Sequence, residues 1–496
     1  MKNSENQLFD VVIIGAGVVG CSIARELSRF KLKVAVIEKE ADVGWGASCR
    51  NSGVIHAGFN NKPKTFMAKY CVEGNKTFHT LARELNVPYQ KIGKLIVAKN
   101  NLEIKELEKL KQQGEINGVQ GLSLISEKEL KQLEPNIRGM GALYSQETAI
   151  TSPYLYTIAL AENAFKNGVH FFLNCQVNQI KKSKNSQFIL SNGNKRWHTR
   201  YVINCAGIYA DQIARMIGVN HYQIYPCRGE YYVLDKNAAS LMNHLVYPVP
   251  HAGEGGLGIH LTPTIDGNIL IGPSNEYIPK KGDFAVTKHV LEKLCQEARE
   301  FLPQISPKYF IRNYAGLRAK QAPPSKGGYY DYVIEENKEI SHMINLIGIE
   351  SPGLTAAQPI AKRVVEMIDQ KEKLMANPDF NPYHQAILRF EEQDEDTKKQ
   401  LIQQDPDYGE IICRCEQVTK KEILQAMDNP LGARSLISIK YRSRAMMGRC
   451  QGGYCLTRIM ELLQEKYGYQ SKDFLLKGPQ SQLLTGNRTN GVKSQC

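Results

Sequence analysis

The feature that most constrains this chain is a glycine-rich turn between a strand and a helix, close to the N-terminus. A β-rich run, Phe9–Ile14, leads into the turn, and a helical pattern follows it through Leu27. A second short strand, Lys33–Ile37, ends at Glu38, so the segment forms a complete βαβ unit. The turn has the spacing G-x-G-x-x-G and consists of Gly15, Ala16, Gly17, Val18, Val19 and Gly20.

Such a turn binds phosphates, because glycines let the backbone approach a ligand and the helix N-terminus presents N–H donors. Glu38 follows Gly20 by 18 residues and stands at a strand end, where a carboxylate accepts both hydroxyls of an adenosine ribose. This context favours a dinucleotide site, with a plain tight turn as the alternative.

The rest of the chain predicts a mixed α/β protein of about two to four domains, since 42% of its 496 residues are apolar. Helical patterns cover Leu102–Gln112, Tyr154–Asn167 and Lys288–Phe301. Strand-like runs are found at Lys94–Ala98, His170–Leu173, Tyr201–Asn204, Glu230–Leu234, Asn268–Ile271 and Ile344–Ile349.

The charge balance narrows the possible partners. Lys and Arg number 63 against 50 Asp and Glu, but they are scattered among acidic residues with no aromatic-interleaved basic stripe. This pattern argues against nucleic acid and fits a small anionic substrate, an acidic protein or peripheral membrane contact. The longest uncharged apolar stretch, Val11–Ala24, is shorter than the roughly 20 residues of a membrane span. With no secretory signal at the N-terminus, we expect a cytoplasmic protein without a transmembrane segment.

Cysteine spacing marks a separate site near the end of the chain. Eight of the 12 cysteines are scattered singly and are expected to be buried thiols. The other four form a C-x-C pair and, after a gap of 34 residues, a C-x4-C pair: Cys413, Cys415, Cys450 and Cys455. Two close thiolate pairs bind tetrahedral zinc or an iron–sulfur cluster.

Several further segments resemble the amino-acid-oxidase-like FAD superfamily, and more closely its branch of L-2-hydroxyglutarate and FAD-linked glycerol-3-phosphate dehydrogenases. The strand-ending glycines of Tyr201–Gly207 and Ile344–Gly353 are similar to the later cofactor contacts of glutathione-reductase-type flavoproteins. With the N-terminal turn, the resemblance spans residues 8–370. Its other segments are Arg50–Gly58, Pro226–Tyr231, Val246–Pro250, Gly258–Gly267 and Ala315–Ala319.

The resemblance implies a Rossmann-like FAD domain of the glutathione-reductase type with an inserted antiparallel-sheet substrate domain. The FAD domain would comprise residues 1–90, 146–215 and 331–385, and the substrate domain residues 91–145 and 216–330. The acidic run Glu391–Asp396 and the segment Gln403–Asp407 predict a linker over residues 386–405. A small helical cysteine-bearing domain would then occupy residues 406–496.

The same resemblance implies the cofactor contacts. The N-terminal turn, Glu38 and Lys39 would hold the ADP part of FAD, and Val177, on a strand after Cys175, would touch the adenine. The N-terminus of the helix beginning at Gly353 would face the flavin. The remaining expected contacts are Ser48, Asn51, Ser52, Gly53, Ala206, Gly207, Leu354 and Thr355.

Oxidation of a secondary alcohol needs a group that accepts the hydroxyl proton while the C–H faces flavin N5. His56 is the candidate base, with a packing or flavin-stacking histidine as the alternative. Arg318 matches an arginine that orients an anionic substrate in the family, with a structural ion pair as the alternative. The further candidates for substrate binding, each equally consistent with a satisfied sheet residue, are Arg50, Arg228, His260 and Thr262.

The tail resembles the bacterioferritin-associated-ferredoxin-like [2Fe-2S] domain in the variant fused to glycerol-3-phosphate dehydrogenases, and a structural zinc site is the alternative. Four cations near the second cysteine pair, which have no acid between them in the sequence, are expected to offset the negative charge of the cluster: Lys440, Arg442, Arg444 and Arg449.

The resemblance thus implies a flavoprotein dehydrogenase with FAD and a [2Fe-2S] cluster. We expect it to oxidise sn-glycerol 3-phosphate to dihydroxyacetone phosphate and to pass single electrons out through the cluster. Dehydrogenation of L-2-hydroxyglutarate or of an amino acid or amine remains open, as does a non-catalytic electron-transfer subunit. An electron-acceptor protein or a second flavoprotein subunit is the expected partner.

Overall fold

The computed structural model describes residues 7–183, 187–250 and 258–484. These residues form two compact units. The first contains residues 1–38 and 43–384, and the second contains residues 39–42 and 385–496.

In the first unit, eight of the described strands form a mostly parallel sheet around the N-terminal strand Gln7–Ile14. This strand pairs in parallel with Val34–Ile37 on one side and with Arg196–Asn204 on the other. Its residues Val11 to Ile13 are fully buried, as expected for a central parallel strand covered on both faces. The other strands of this sheet are His170–Phe172, Gln179–Lys182, Phe188–Ser191, Val333–Glu336 and Met343–Ile347.

Three of the helices that pack in this part of the unit are Val18–Leu27, Phe66–Leu85 and Gly353–Glu372. The helix Phe66–Leu85 begins where the Thr65 hydroxyl accepts a hydrogen bond from the Ala68 N–H, and it ends at Asn86, which has a left-handed conformation. The other α-helices of the first unit are Asn101–Ile116, Glu127–Leu133, Pro153–Lys166, Ala210–Arg215 and Lys288–Phe301.

Nine of the described strands form a second, largely antiparallel sheet in the same unit. Its longest pairing joins Tyr225–Leu234 to Phe310–Lys320, with Cys227 opposite Arg318 and Gly229 opposite Gly316. One neighbouring pair, Lys94–Ala98 with Leu245–Pro248, is parallel. The remaining strands are Leu122–Ser126, Gly141–Ser145, Leu261–Pro263, Ile269–Ile271 and Glu276–Tyr277. A small separate sheet contains Val54–Ile55, Tyr89–Lys91 and Ala149–Thr151.

The second unit is mainly helical and has its own apolar core, which includes Ile423, Ile439 and Ile459. A short antiparallel pair, Ile411–Cys413 with Val418–Thr419, leads into a helix capped by a reciprocal Thr419–Glu422 interaction. The α-helices of this unit are Glu395–Gln404, Lys420–Met427, Leu436–Ser443 and Cys455–Tyr467.

Two local expectations differ from the structure. The predicted linker contains the helix Glu395–Gln404, which begins because the Asp394 carboxylate accepts hydrogen bonds from the N–H groups of Asp396 and Thr397. Acidic residues in its first turn also favour a helix N-terminus, so the acidic run starts a helix. Val177 lies in a loop rather than on a strand, although it is buried as expected.

The cysteines that the structure describes are all free thiols. Of those scattered singly, Cys21, Cys71, Cys175 and Cys227 are buried, and Cys49, Cys205 and Cys295 are partly buried. Cys496 lies outside the described residues. Among the described helices, none is both long and apolar enough to cross a membrane.

Candidate functional site

The glycine-rich turn is closed too tightly for side chains at two of its positions. Gly15 has a φ of +105°, and a Cβ atom there would lie 2.5 Å from the carbonyl oxygen of Cys205. A Cβ atom on Gly20 would lie 2.1 Å from the carbonyl oxygen of Gly15. The helix that follows starts at Gly17, which has no side chain to cap it. Gly17 therefore lets a ligand approach the helix N-terminus closely, although the first N–H of the helix, that of Val18, is bonded to Ser48 Oγ.

The predicted ribose carboxylate lies beside this turn. Glu38 Oε2 accepts a hydrogen bond from the Ala16 N–H at 2.7 Å, and the Ser48 Oγ accepts one from the Val18 N–H at 2.9 Å. The Cys175 N–H donates to the carbonyl oxygen of Glu38 at 2.8 Å, which fixes the loop that carries Val177. Backbone and side-chain bonds thus bring these predicted cofactor positions together.

The turn after Ser48 is held by Asn51. Its Nδ2 donates to the carbonyl oxygen of Ser48 at 2.8 Å, and its Oδ1 accepts the Gly53 N–H at 2.8 Å. The Tyr314 hydroxyl donates to the carbonyl oxygen of Asn51 at 3.2 Å. Gly53 has a φ of +68°, and a Cβ atom there would lie 2.4 Å from the carbonyl oxygen of Thr151. Asn51 therefore shapes the turn itself.

The candidate base is anchored to the N-terminus of the helix Gly353–Glu372. The backbone N–H of His56 donates to Thr355 Oγ1 at 3.0 Å. A Cβ atom on Gly74 would lie only 2.0 Å from the carbonyl oxygen of Thr355, so the helix that carries Gly74 packs directly against this position. Gly74 was not predicted from the sequence, although an isolated glycine inside a helical pattern is a known sign of close packing.

The remaining expected cofactor positions differ in burial and in the unit that contains them. Gly207 has a φ of +54°, and a Cβ atom there would meet nothing within 4 Å. Lys39 lies in the segment 39–42, which belongs to the second unit, and its ammonium lies 3.6 Å from Glu40 Oε1. Val19, Ala206 and Leu354 are partly buried in the first unit.

Arg318 projects from the second sheet into a space left by a glycine on the neighbouring strand. A Cβ atom on Gly229 would lie 3.0 and 3.2 Å from the two terminal guanidinium nitrogens of Arg318. Nη1 donates to the carbonyl oxygen of Ser274 at 3.1 Å and lies 3.9 Å from the Cys227 sulfur. Among the described residues, no carboxylate forms a salt bridge with Arg318, so its charge can serve an anionic ligand.

The electrostatics of this region keep its histidines neutral. Burial, together with repulsion from Lys94 and His260, holds the pKa of His56 well below its usual value of 6.5. Burial also lowers the pKa of His260 to about 3, although its Nδ1 lies 3.0 Å from the carbonyl oxygen of Gly258. Neutral His56 can accept a proton, and the nearby cations favour an anionic substrate.

Two buried hydroxyls add to the candidate pocket. Tyr247 stacks on His260 at a centroid distance of 3.7 Å, and its hydroxyl lies near those of Thr262 and Ser52. The side-chain oxygens of Tyr247 and Thr262 are buried, and neither forms a hydrogen bond of good geometry within the described part of the chain. Buried polar groups are normally satisfied, so these two favour a polar ligand.

Two predicted substrate contacts have other partners. Arg228 lies 3.1 Å from Glu230, 2.8 Å from Glu276 and 3.3 Å from Asp283, so three carboxylates surround its guanidinium. Arg50 Nη1 donates to the carbonyl oxygen of Ala315 at 3.2 Å. The three carboxylates favour the structural alternative for Arg228. Arg50, like Arg318, bonds to backbone carbonyl oxygens in the described part of the chain and stays a candidate.

The second unit contains the four predicted metal ligands as two hydrogen-bonded pairs. The Cys455 thiol and the N–H groups of Met446 and Glu416 lower the pKa of Cys413 to about 6. Cys415 and Cys450 form the other, more exposed pair. Among the described residues, no three metal-binding side chains lie close enough together to hold an ion.

The loops that carry these cysteines nevertheless suit a cluster. Four non-glycine residues there have positive φ angles: Gln417 at 50°, Arg444 at 65°, Met446 at 67° and Gln451 at 50°. Turns of this kind direct successive N–H groups toward an anionic centre, and such strain is concentrated at functional sites. The conformation of the loops that carry the four thiols therefore suits a [2Fe-2S] cluster.

The cations near these cysteines differ from the sequence-based expectation. Arg442 pairs with Asp42 at 2.5 Å, and Arg444 pairs with Glu416 at 2.7 Å. Both pairs are almost fully buried. The expectation that these arginines offset the charge of a cluster was wrong in this respect, because carboxylates distant in sequence already neutralise them.

Comparison with known proteins agrees with this arrangement. Residues 10–367 match the family described as FAD dependent oxidoreductase, and residues 411–465 match the BFD-like [2Fe-2S] binding domain. A glycerol 3-phosphate dehydrogenase from Caloramator mitchellensis is 42% identical over 98% of this chain and 100% of the relative. A mitochondrial L-2-hydroxyglutarate dehydrogenase from Arabidopsis thaliana is 34% identical over 72% of this chain and 82% of the relative.

A solved structure is similar in fold as well as in sequence. The dithionite-reduced L-alpha-glycerophosphate oxidase from Mycoplasma pneumoniae, with FAD bound, has a TM-score of 0.72 and 30% identity. The match covers 76% of this chain and 98% of that one. These comparisons confirm the predicted fold class and both cofactors, FAD and a [2Fe-2S] cluster. The chain therefore belongs to the family of FAD-dependent oxidoreductases, and its second unit carries a [2Fe-2S] binding domain.

Proposed function

We propose that the protein is a dehydrogenase that oxidises sn-glycerol 3-phosphate to dihydroxyacetone phosphate. The observation that carries this proposal is the extent of the match to the Caloramator relative, which includes both units of the chain. The L-2-hydroxyglutarate dehydrogenase from Arabidopsis covers only 72% of this chain.

The candidate pocket supports this chemistry. When bound, FAD supplies a two-electron acceptor that takes the hydride from the substrate carbon. Arg318, whose guanidinium has no carboxylate partner among the described residues, binds the phosphate group. His56, which burial keeps neutral, accepts the hydroxyl proton. The alcohol thereby loses one hydride and one proton and becomes a ketone.

The second unit supplies the route by which electrons leave. A [2Fe-2S] cluster carries one electron at a time, so the electron pair from each turnover leaves in two steps. Cys413, Cys415, Cys450 and Cys455 hold this cluster. An external electron acceptor completes the cycle.

L-2-Hydroxyglutarate is the second candidate substrate. Its dehydrogenase from Arabidopsis is 34% identical to this chain, and a guanidinium suits a carboxylate as well as a phosphate. Amino-acid oxidation has weaker support, because a glycine oxidase from Geobacillus kaustophilus shares only 20% identity and indicates the fold alone.

Flavin bleaching in the absence of oxygen tests the proposal directly. The FAD-loaded protein is mixed with sn-glycerol 3-phosphate, L-2-hydroxyglutarate or glycine, and absorbance of the flavin is followed by stopped flow. We expect fast bleaching with glycerol 3-phosphate alone. Faster bleaching with one of the other compounds would reassign the substrate, and no bleaching with any of them would favour an electron-transfer subunit.

Replacement of a cluster ligand separates the two halves of the reaction. In Cys415→Ser, we expect loss of cluster absorbance and a fall of at least tenfold in turnover with a one-electron acceptor. Bleaching of the flavin in a single turnover should remain, because hydride transfer occurs in the first unit. Cys295→Ser, at a partly buried cysteine of the first unit, is the control. Loss of bleaching in Cys415→Ser would contradict a role for the second unit as an exit alone.

A further inference from the structure

The loop of residues 321–332 follows the strand Phe310–Lys320 and folds back on its own start. Its base is closed, because Gln321 Nε2 donates to the carbonyl oxygen of Asp331 at 3.0 Å. Gly328 has a φ of +75°, a conformation in which glycine lets the chain reverse its direction. Compact loops whose two ends meet in this way often carry functional side chains.

Lys320, the last residue of that strand, fixes the loop from inside the protein. It is fully buried, and its ammonium donates to the carbonyl oxygen of Gly328 at 2.9 Å. The ammonium also lies 4.0 Å from the centroid of the Tyr329 ring and 3.1 Å from Glu350 Oε2. A hydrogen bond and a cation–π contact to adjacent residues therefore hold Tyr329 at the end of this strand.

The same strand brings Arg318 close to Tyr329. Side chains two residues apart on a strand point to the same face, with about 7 Å between their Cα atoms, so Arg318 and Lys320 share one face of the sheet. Tyr329 contacts Lys320 and therefore lies on that face as well. In agreement with this placement, Tyr329 is among the groups that interact electrostatically with Arg318. The candidate anion-binding guanidinium and a phenol are thus neighbours.

The Tyr329 hydroxyl is available to a ligand. In the part of the chain that the structure describes, it forms no hydrogen bond, whereas the hydroxyl of Tyr332 donates to the carbonyl oxygen of Glu350 at 2.9 Å. Tyr329 is 39% exposed, so a small molecule can reach it. A phenol keeps its proton at neutral pH and can donate it in a hydrogen bond. Tyr329 therefore offers a donor that the fold itself does not use.

We propose that Tyr329 is a substrate-binding residue, and that its hydroxyl donates a hydrogen bond to the phosphate group of sn-glycerol 3-phosphate while Arg318 binds the same group. The inference rests on the proposed function and adds a residue that selects the substrate. A phosphate group has three terminal oxygens, so the guanidinium can bind two of them and the phenol can bind the third. A carboxylate has two oxygens, which the guanidinium alone can bind. Tyr329 therefore favours a phosphate over a carboxylate.

The test uses Tyr329→Phe, which removes the hydroxyl alone, and Tyr330→Phe as the matched control. Tyr330 is the next residue of the loop and is 43% exposed. Each FAD-loaded protein is mixed with sn-glycerol 3-phosphate at varied concentration without oxygen, and stopped-flow bleaching of the flavin gives the substrate Kd and the limiting rate. In parallel, isothermal titration calorimetry measures the Kd of two anions that do not react, inorganic phosphate and the dicarboxylate glutarate.

In Tyr329→Phe, we expect the Kd of sn-glycerol 3-phosphate and of inorganic phosphate to rise about tenfold, because a hydrogen bond to a charged group is lost. The Kd of glutarate and the limiting rate should change by about threefold or less, since the guanidinium remains in place. Tyr330→Phe should match the wild type in every measurement.

Three results would overturn the inference. They are a phosphate Kd of Tyr329→Phe that stays at the wild-type value, an equal loss of phosphate binding in Tyr330→Phe, and a wild type that binds no phosphate. An equal rise in the Kd of glutarate would overturn the selection of phosphate. If sn-glycerol 3-phosphate fails to bleach the wild type while phosphate binding still depends on Tyr329, the proposed substrate is wrong and the anion site stands.

Discussion

Two lysines of the first unit are almost fully buried, and their surroundings differ. Lys320 is 0% exposed, and its ammonium lies 3.1 Å from Glu350 Oε2. Lys94 is 2% exposed and has two aromatic rings but no carboxylate pair among the described residues. The same contrast separates Arg228, which has three carboxylates, from Arg318, which has none in the described part.

The difference distinguishes supporting residues from residues of the pocket. A buried cation with a carboxylate is neutralised inside the fold and has no charge left for a ligand. A buried cation without one contributes a positive potential that an anionic substrate can use. Arg228 is buried and Arg318 is partly buried, yet it is the carboxylates around each cation that separate their roles.

The largest expected effect is on stability, at the paired lysine. Lys320→Met leaves the Glu350 carboxylate buried and unpaired, and we expect the free energy of unfolding to fall by about 3 to 5 kcal/mol. Denaturant titration of the FAD-loaded protein measures this change. Lys320→Met combined with Glu350→Gln should recover part of the loss, since the orphaned charge is then removed. Equal stability of the single and double variants would contradict the pairing.

At the unpaired arginine, the effect should fall on substrate binding. Arg318→Gln keeps a polar side chain but removes the charge, and we expect the KM for sn-glycerol 3-phosphate to rise roughly 100-fold, or about 3 kcal/mol. FAD content should be unchanged, which absorbance of the purified protein checks. The KM of Arg318→Lys should lie between those of the wild type and Arg318→Gln, because lysine keeps the charge and loses the planar guanidinium. A KM within twofold of the wild type would remove Arg318 from the pocket.

The smallest effect should be a gain in stability at Lys94. The pKa of Lys94 is lowered to about 7 from its ordinary 10.5, so between these values the unfolded chain binds the proton that the folded protein does not hold. Stability of the wild type relative to Lys94→Met should therefore rise as the pH increases from 7 to 10.5. At pH 7 we expect the variant to be the more stable protein, because the wild type then holds the charged ammonium in a buried position. A less stable variant at pH 7 would mean that Lys94 is a structural residue.

The sequence predicted the local elements well. The helix Lys288–Phe301 and the strand Lys94–Ala98 have the predicted bounds. Each of them is determined by periodicity and end signals within a few residues. The helix Glu395–Gln404 was missed because its acidic start was interpreted as a linker, although Asp394 is a good capping residue.

The partners of the charged residues could not be predicted in the same way. Arg442 pairs with Asp42 across 400 positions of sequence, and Arg228 pairs with Glu276 through the pairing of separate strands. Such pairs depend on tertiary packing, which residue type and spacing do not encode. For the same reason, the sequence ranked Arg50 and Arg228 together below Arg318 and could not predict that carboxylates surround Arg228. The roles of the individual site residues remain predictions.

The contact between Gly74 and Thr355 has a consequence for how this protein tolerates change. A single methyl group at position 74 would meet the Thr355 carbonyl oxygen at 2.0 Å, and Thr355 in turn holds the backbone of His56. A substitution at Gly74 would thus be transmitted to His56, the proposed proton acceptor, through one backbone carbonyl and one hydroxyl. Gly74 therefore determines how closely its helix packs against Thr355 and, through Thr355, where the backbone of His56 lies.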